Sequence, residues 1–94
     1  MFENKRYLTR GVEAEIPLAV QVVIWGLIDT MKVEKDYLQV FSLKAEDNRQ
    51  GISHSQEVPG YKKEYTLFFK EPVNAKIYVI DDGNHTTMLL SEEY

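Results

Sequence analysis

The stretch that decides the fold is Ile16-Pro-Leu-Ala-Val-Gln-Val-Val-Ile-Trp-Gly-Leu-Ile28, the only long apolar run in the chain. Pro17 stands where helices begin, because the first turn has a spare N–H position and the proline ring presets φ. From Leu18 to about Lys32 the apolar residues recur at helical spacing. One stripe of side chains is predicted to face the core: Val20, Ile24, Leu27, Ile28 and Met31.

A second apolar stripe lies on the same helix, on or beside its polar side. It consists of Leu18, Val22 and Trp25, spaced at i, i+4 and i+7. The polar side itself is marked by Gln21, Asp29 and Lys32. Two interpretations stay open: either residues 1–2 or the loop around 59–61 cover this stripe, or it is a contact surface for a second copy or another partner. Tryptophan is enriched at the anchors of interfaces, and a small protein has little material to cover both sides of a helix.

The rest of the chain is predicted to form strands, because polar and apolar residues alternate there. The predicted strands span residues 5–16, 37–45, 52–57, 64–69, 75–80 and 86–90. Apolar residues on both sides of 37–45 indicate a central strand, whereas the polar segment 52–57 indicates an edge or a rim. Gly11 would mark a bulge in the first strand, and Asp82-Gly83 is a strong signal for a hairpin turn. Residues 91–94 are predicted to be a frayed tail.

The order of elements places the chain in the α+β class. One amphipathic helix is predicted to pack on a mostly antiparallel sheet of about five to six strands, in the order β-α-β-β-β-β(-β). The 94 residues are expected to form a single domain, 1–94. Branched residues lower the intrinsic helix propensity of the apolar stretch, so packing on the sheet must hold the helix.

The composition narrows the chemistry and the location. The chain has no cysteine, which rules out disulfides, thiol catalysis and thiolate metal sites and is compatible with a reducing compartment. The first residues lack the charged-then-apolar order of a signal peptide, and the apolar run is shorter than the ~20 residues that cross a bilayer. We therefore expect a cytoplasmic protein with no membrane contact.

The net charge of −4 makes nucleic acid an unlikely partner, since phosphates require a basic face. The basic residues are scattered along the chain. A nucleic-acid-binding regulator would need its tightest basic groups on one face: Lys5, Arg6, Arg10, Lys62 and Lys63.

Two histidines are the first candidates for chemistry. His54 lies in the polar segment 52–57 near Glu57, and His85 follows the hairpin signal near Asp81. If the two hairpins meet in space, these side chains offer nitrogen and oxygen ligands for a metal, or a general acid–base pair. The sequence favours the plainer interpretation, in which both histidines are exposed polar residues without a chemical role.

Three familiar kinds of site are not supported. Ser53 and Ser55 adjoin His54, but neighbours along a strand point to opposite faces, so neither serine is activated locally as a nucleophile. The segment 81–92 has Gly83 where a calcium loop needs an oxygen ligand, so a hairpin turn explains it better. The five glycines are far apart and form no phosphate-binding loop.

Several stretches resemble a known family. They are Met-Phe-Glu-Asn-Lys-Arg-Tyr-Leu-Thr-Arg-Gly-Val (1–12), Asp-Tyr-Leu-Gln-Val-Phe (36–41) and Val-Asn-Ala-Lys-Ile-Tyr-Val-Ile-Asp-Asp-Gly (73–83), continued by Met88-Leu-Leu and Glu93-Tyr94. Along nearly its whole length the chain is similar to short uncharacterised proteins of Gram-positive bacteria, catalogued as a domain of unknown function. This resemblance implies a stand-alone bacterial cytoplasmic protein, and it implies no activity or catalytic residue.

The residues favour a small interaction or ligand-binding module without catalysis or cofactor, acting as a homo-oligomer through Leu18, Val22 and Trp25. The order strand, helix, two strands also resembles half of an effector-binding module of bacterial regulators, and a second copy would supply the other half. The first alternative is a small metal-dependent or acid–base enzyme that uses His54 and His85. The second is the nucleic-acid-binding regulator.

Overall fold

The computed structural model describes all 94 residues. Its backbone forms six strands, two α-helices and a 3₁₀ turn. In chain order these are β1 (Lys5–Leu8), α1 (Arg10–Glu15), α2 (Leu18–Asp29), β2 (Leu38–Glu46), β3 (Arg49–Gln56), β4 (Tyr61–Phe68), β5 (Ala75–Asp81), β6 (His85–Leu90) and the 3₁₀ turn Ser91–Glu93. The elements follow the predicted order except for the additional helix α1 after β1.

All six strands belong to one sheet, in the order β1-β6-β5-β2-β3-β4. β1 runs parallel to β6, and the other four pairs are antiparallel. The predicted α+β fold with a mostly antiparallel sheet is therefore confirmed. β2 is central, as its apolar residues on both faces indicated. β3 is not the predicted edge strand, because β4 pairs along its outer side.

The first strand ends at Leu8, and the predicted strand over 9–16 is wrong. The Thr9 hydroxyl caps α1 by accepting a hydrogen bond from the Val12 N–H at 3.3 Å. Val12 and Ile16 are spaced at i and i+4, and their exposed fractions are 0% and 3%. Helical spacing, rather than strand alternation, therefore describes the buried residues of this segment.

Helix α2 anchors the core with the predicted stripe. Val20, Ile24 and Ile28 are at most 1% exposed, and Met31 beyond the helix is 9% exposed. The remaining member of the stripe, Leu27, is half-buried. The stripe packs on the sheet within a cluster of 13 buried apolar residues. The helix ends at Asp29, earlier than predicted.

Gln21 departs from the predicted pattern. It was expected on the polar side of α2, but it is 5% exposed, and its Nε2 donates to the Ile16 carbonyl at 2.8 Å. This bond satisfies a backbone carbonyl between the two helices. All other residues from Leu18 to Ile28 are apolar or glycine, so the helix has no polar face before its last residue. No helix of the fold is long and apolar enough to span a membrane.

Both helices pack on one face of the sheet, the inward face. Its central strand residues are buried and apolar: Phe41, Leu43, Ile52, Ile77, Val79, Met88 and Leu90. The pairing registers place the intervening residues, such as Val40 and Tyr78, on the opposite side. Neither α-helix packs there, the C-terminal Tyr94 contacts Tyr78 on this side, and we call it the open face.

Both ends of the chain are hydrogen-bonded to the body of the protein. The Phe2 N–H donates to the Asp81 carboxylate at 2.7 Å, and the Phe2 ring is buried. The Glu93 carboxylate accepts from the Thr9 hydroxyl at 2.6 Å and from the Gly11 N–H at 3.2 Å. The C-terminal turn is therefore tied to α1 and is not the predicted frayed tail.

Candidate functional site

The outward surface of α2 is apolar and open to solvent. Leu18 and Val22 are 72% and 59% exposed, and Ala19 and Gly26 are exposed beside them. We call these four residues the α2 surface. Adjacent large apolar side chains exposed on one helix are a candidate contact site, because burying each one is worth roughly 1.5–3 kcal/mol.

Trp25, the third member of the predicted stripe, lies partly under β1. The Arg6 guanidinium lies 4.6 Å from the centre of the Trp25 ring, and it also forms an ion pair with Asp29. Trp25 is half-buried and packs against the core. It therefore connects the α2 surface to β1 and does not stand free in solvent.

The chain's own segments leave the α2 surface uncovered. Phe2 is buried elsewhere, the loop around 59–61 is itself largely exposed, and Leu18 and Val22 keep most of their surface in solvent. A shallow depression joins Leu18 to Leu8 on the edge strand β1, and the carboxylates of Glu13, Glu15 and Glu71 also line it. The interpretation in which the N-terminus or this loop covers the stripe is therefore wrong.

His54 is buried, contrary to the expectation of an exposed residue. It lies on the inward face of β3 and is 0% exposed. Its ring stacks on Phe41 with centroids 4.2 Å apart, and Tyr61 stands edge-on to it at 5.3 Å. Removal from water disfavours the charged ring, which lowers the pKa of His54 to about 4. The imidazole is therefore neutral near pH 7.

Two glutamine side chains hold His54 in place. Gln39 Nε2 donates to Gln56 Oε1 at 2.7 Å and to the Asp36 carbonyl at 2.9 Å, which leaves Gln39 Oε1 as an acceptor. His54 Nε2 lies 2.6 Å from that oxygen and therefore carries the proton, while Nδ1 is a buried acceptor without a partner. Gln56 Nε2 donates to carbonyls of the two neighbouring loops. The network thus fixes both loops at this end of the sheet.

One feature of the sequence indicated this network, namely the alternation of residues in β3. The polar composition of the segment indicated an exposed strand instead. Gln50, Ile52, His54 and Gln56 occur at every second position, and all four are buried. Buried side-chain amides are found where hydrogen-bond partners converge, and such partners come from distant parts of the chain. The alternation therefore identified the inward face of β3, but polarity made it resemble a rim strand.

His85 lies far from His54, at the start of β6 on the open face. Its Nε2 is 3.2 Å from the Asp82 carboxylate. β5 and β2 separate β6 from β3, a lateral spacing of about 14 Å. The registers align His54 with Leu90, five residues along β6 from His85, so the two histidines lie roughly 20 Å apart and on opposite faces. The convergence of the histidines that the enzyme alternative requires is not found. The protein has no group of three or more His, Asp and Glu side chains that would hold a metal.

Asp81 and Glu57 also take separate places. Asp81 accepts hydrogen bonds from the Phe2 N–H at 2.7 Å, the Gly83 N–H at 2.8 Å and the Asn4 amide at 3.0 Å. The bond from Phe2, followed by that from Gly83, holds the pKa of Asp81 below its ordinary value. Its carboxylate therefore anchors the N-terminus. Glu57 is exposed in the β3–β4 loop.

The basic residues that a regulator would need are divided between the two faces of the sheet. Lys5 and Lys62 project from the open face, whereas Arg6 and Lys63 project from the inward face. Arg10 lies on α1. These five basic residues therefore do not lie on one face of the protein.

Comparisons with known proteins place the chain among proteins of unknown function. Residues 5–93 match a family described as staphylococcal protein of unknown function (DUF960). The fold is similar to the crystal structure of a protein of unknown function from Enterococcus faecalis, with a TM-score of 0.86 and 26% sequence identity over 98% of this chain and 92% of that chain. No match was found among the curated proteins. The resemblance to uncharacterised Gram-positive proteins is thereby confirmed.

Proposed function

The chain belongs to the DUF960 family of staphylococcal proteins of unknown function, and we propose that it is a non-catalytic interaction module whose α2 surface binds a second copy of the chain. The observation that carries this proposal is the exposure of Leu18 and Val22 on a helix without a polar outward side. A helix that is apolar all round is normally buried on all sides. A second copy would bury the outward side as the sheet buries the inward side.

A two-fold axis through the middle of α2 would make this surface self-complementary. Val22 lies near the middle of the helix, with Ala19 three positions before it and Gly26 four positions after it. A Cβ atom built at Gly26 meets no atom within 4 Å, so this position leaves room for another helix. Antiparallel helices that cross at Val22 would therefore approach closely, with each Leu18 packed on the far half of the other helix.

Burial of the side chains gives this contact a modest strength. Two copies would bury two Leu18 and two Val22 side chains that are 72% and 59% exposed, a gain of about 4–8 kcal/mol. Association itself costs about 4 kcal/mol or more, which offsets much of this gain. The remainder, at most about 4 kcal/mol, corresponds to a Kd on the order of 1 mM, which contacts of Leu8 and Trp25 at the rim would lower.

The charges around the α2 surface suit a second copy of the chain. Glu13 and Glu15 line the depression beside Leu18. Arg6 is paired with Asp29 at the other end of α2, so the rim carries both signs. A partner with a uniformly acidic or basic face would meet like charges on part of this rim. Antiparallel pairing of the two helices would instead bring Arg6 of each copy toward the glutamates of the other.

We propose that the module is non-catalytic because its candidate polar side chains form structural hydrogen bonds. His54 is bonded to Gln39, Asp81 anchors the N-terminus, and Glu93 joins the C-terminal turn to α1. Each of these groups is engaged in holding the fold together. We place the module in the cytoplasm, because a chain without cysteine suits a reducing compartment.

Sedimentation velocity over a range of concentrations tests self-association. Val22→Asp puts a charge at the centre of the contact, and Val58→Asp is its matched control, at a position 71% exposed in the β3–β4 loop. We expect a concentration-dependent dimer for the wild type and the control, and a monomer for Val22→Asp. Trp25→Asp is a weaker test, because Trp25 also packs against the core of its own chain.

Two results would contradict self-association through this surface. One is a wild type that stays monomeric at the highest soluble concentration. The other is a Val22→Asp variant that dimerises as strongly as the wild type. Circular dichroism of each variant verifies that the fold is retained, so a monomeric result for Val22→Asp reports on the contact and not on unfolding.

A further inference from the structure

The open face of the sheet is basic although the protein as a whole is acidic. Strand pairing places seven charged strand residues on this face: Lys5, Lys44, Glu46, Arg49, Lys62, Glu64 and Lys76. Five of the seven are basic, whereas the whole chain has a net charge of −4. The average charge of the chain, which argued against nucleic acid, therefore does not describe this face.

Both acidic strand residues of the open face have basic neighbours, and Asp82 in the adjoining turn lies beside His85. Lys62 Nζ lies 3.8 Å from the Glu64 carboxylate, and Arg49 lies opposite Glu46 in the β2–β3 register. The lysines left without a carboxylate within 4 Å are Lys5, Lys44 and Lys76. Their charges are free to attract an anion.

Tyrosines stand beside two of these lysines. Lys5 precedes Tyr7 by two residues and Lys76 precedes Tyr78 by two, so each pair shares the open face. The lysine Nζ atoms lie 5.7 and 5.8 Å from the centres of the respective rings. His85 stands edge-on to Tyr7 at 5.2 Å, and Tyr7 itself is 45% exposed. Each of these two tyrosines therefore has a lysine beside it on this side of the sheet.

These side chains form one diagonal stripe across the open face. It runs from Lys5 and Tyr7 on β1, past β6, to Tyr78 and Lys76 on β5 and to Lys44 on β2. Along this path the stripe is about 30 Å long, from the spacing of residues and strands in a sheet. We call it the Lys–Tyr stripe.

We propose that the Lys–Tyr stripe binds single-stranded nucleic acid. Tyr7 and the half-buried Tyr78 provide faces on which bases stack, and the lysine beside each ring is placed to meet the phosphate of the stacked nucleotide. The Tyr78 ring also contacts Tyr94 at right angles, with the ring centroids 5.6 Å apart. The hydroxyls of Thr87 and Ser42, which lie between and beside these residues, are available to the sugar and phosphate groups. A stripe of about 30 Å suits the lower end of the roughly 4–16 nucleotides that an OB-fold contacts.

The shape of the open face favours a single strand over other polyanions. No helix or hairpin projects from it to enter the groove of a duplex, so a duplex would meet it only through phosphates. An acidic peptide would pair with the lysines but would leave the tyrosine faces unused. A single strand uses both, because its bases are free to stack and its phosphates remain within reach of the lysines.

This binding does not depend on self-association. The α2 surface lies in the helix layer, and the Lys–Tyr stripe lies on the opposite side of the sheet. Val22→Asp is therefore expected to bind a short strand as the wild type does. A failure of self-association and a failure of strand binding are distinguishable for this reason.

Fluorescence anisotropy with labelled oligo(dT) and oligo(U) of about eight nucleotides tests the proposal. Tyr78→Leu removes a stacking face but keeps an apolar side chain, whereas Tyr78→Phe keeps the face. Lys76→Glu reverses a charge in the stripe, and Lys63→Glu makes the same change on the inward face. We expect about tenfold weaker binding for Tyr78→Leu and Lys76→Glu, and changes below about threefold for Tyr78→Phe and Lys63→Glu.

The salt dependence supplies a second measurement. With three unpaired lysines, the slope of log K against log salt for a single strand is expected to be about −2, and Lys76→Ala should make it less negative by about 0.7. Absence of salt-sensitive binding to either strand overturns the proposal. So does an equal loss of affinity in Lys63→Glu and Lys76→Glu. A labelled polyglutamate peptide that binds as tightly as the strands, with no effect of Tyr78→Leu, assigns the face to acidic peptides instead.

Discussion

Replacing His54 with glutamine is expected to remove a large part of the acid sensitivity of the fold. Burial lowers the pKa of His54 from its ordinary 6.5 to about 4 in the native protein. Between these two pH values the unfolded chain binds a proton that the native protein does not. The contribution of neutral His54 to the free energy of unfolding is therefore complete above pH 6.5 and is lost as the pH falls toward 4.

The size of this effect follows from the two pKa values. The difference between 6.5 and about 4 corresponds to roughly 3 kcal/mol, at about 1.4 kcal/mol for each pH unit. The groups in contact with the ring do not offset it, since Gln39, Phe41 and Tyr61 are neutral near pH 7. For a domain whose total stability is on the order of 5–15 kcal/mol, such a loss is large.

Glutamine keeps the native contact of His54 and removes its titration. The glutamine amide can donate to Gln39 Oε1 in place of His54 Nε2, and it does not ionise. At neutral pH we expect His54→Gln to be less stable than the wild type by about 1–2 kcal/mol, because the stacking contact with Phe41 is lost. This difference should shrink, and then reverse, as the pH falls.

Urea unfolding followed by circular dichroism, from neutral pH down to about pH 4.5, measures this difference. One fixed protein concentration is required, because self-association adds to the apparent stability. Carboxylates such as Asp81 are common to both proteins and cancel in the comparison. His85→Gln makes the same exchange at the other histidine and serves as the matched control. Equal pH slopes for the wild type and His54→Gln would refute the reasoning.

Four further substitutions are checked by thermal or urea unfolding. Asp81→Ala is expected to lower the free energy of unfolding by about 1–3 kcal/mol, because the Phe2 N–H loses its buried acceptor. The hydrogen bonds that Asp81 accepts hold its native pKa below the ordinary 3.8. The stability that the ionised Asp81 contributes is therefore present above pH 3.8 and is lost as the pH falls below it. Gly83→Ala is expected to cost about 1 kcal/mol, since φ at Gly83 is +100°, whereas Gly26→Ala should add up to about 1 kcal/mol because alanine favours the helix. Glu93→Ala is expected to lower the melting temperature and to speed hydrogen exchange in α1, because it removes the hydrogen bonds to the Thr9 hydroxyl and the Gly11 N–H.

The elements with strong periodicity were predictable from the sequence. In α2 the residues Val20, Ile24 and Ile28 repeat on one side of a helix, and no strand pairing describes a run of that length equally well. The β5–β6 hairpin followed from Asp82-Gly83, because few residues adopt the backbone conformations that a tight turn needs. In both cases the residues that determine the element lie within it, so the element can be recognised from the sequence alone.

Helix α1 was not predictable in this way, because part of its support comes from the other end of the chain. Val12 and Ile16 fit a helix as well as they fit a strand, and six residues are too few for periodicity to decide. The Glu93 carboxylate that accepts from the Gly11 N–H lies 82 residues away in sequence. Such a contact exists only after the sheet has brought the two ends together.

The burial of His54 was missed for the same physical reason. Its segment of β3 is polar, which is typical of a rim strand in water. The partner that makes burial tolerable is Gln39, 15 residues earlier and 2.6 Å away on the neighbouring strand. The Lys–Tyr stripe was equally hidden, since the register of the strands decides which lysines share a face.

The two proposed surfaces together predict how the length of a nucleic acid affects binding. A dimer formed through α2 directs its two open faces away from each other. The protein measures 37 × 27 × 20 Å, so the two faces would lie roughly 40 Å apart, twice the shortest dimension. A strand of about eight nucleotides reaches one face only, so its affinity should be the same for the wild type and Val22→Asp. A strand several times longer reaches both faces of the dimer and gains avidity, which Val22→Asp should abolish. An equal gain with strand length in both proteins would show that the two faces are not joined by α2.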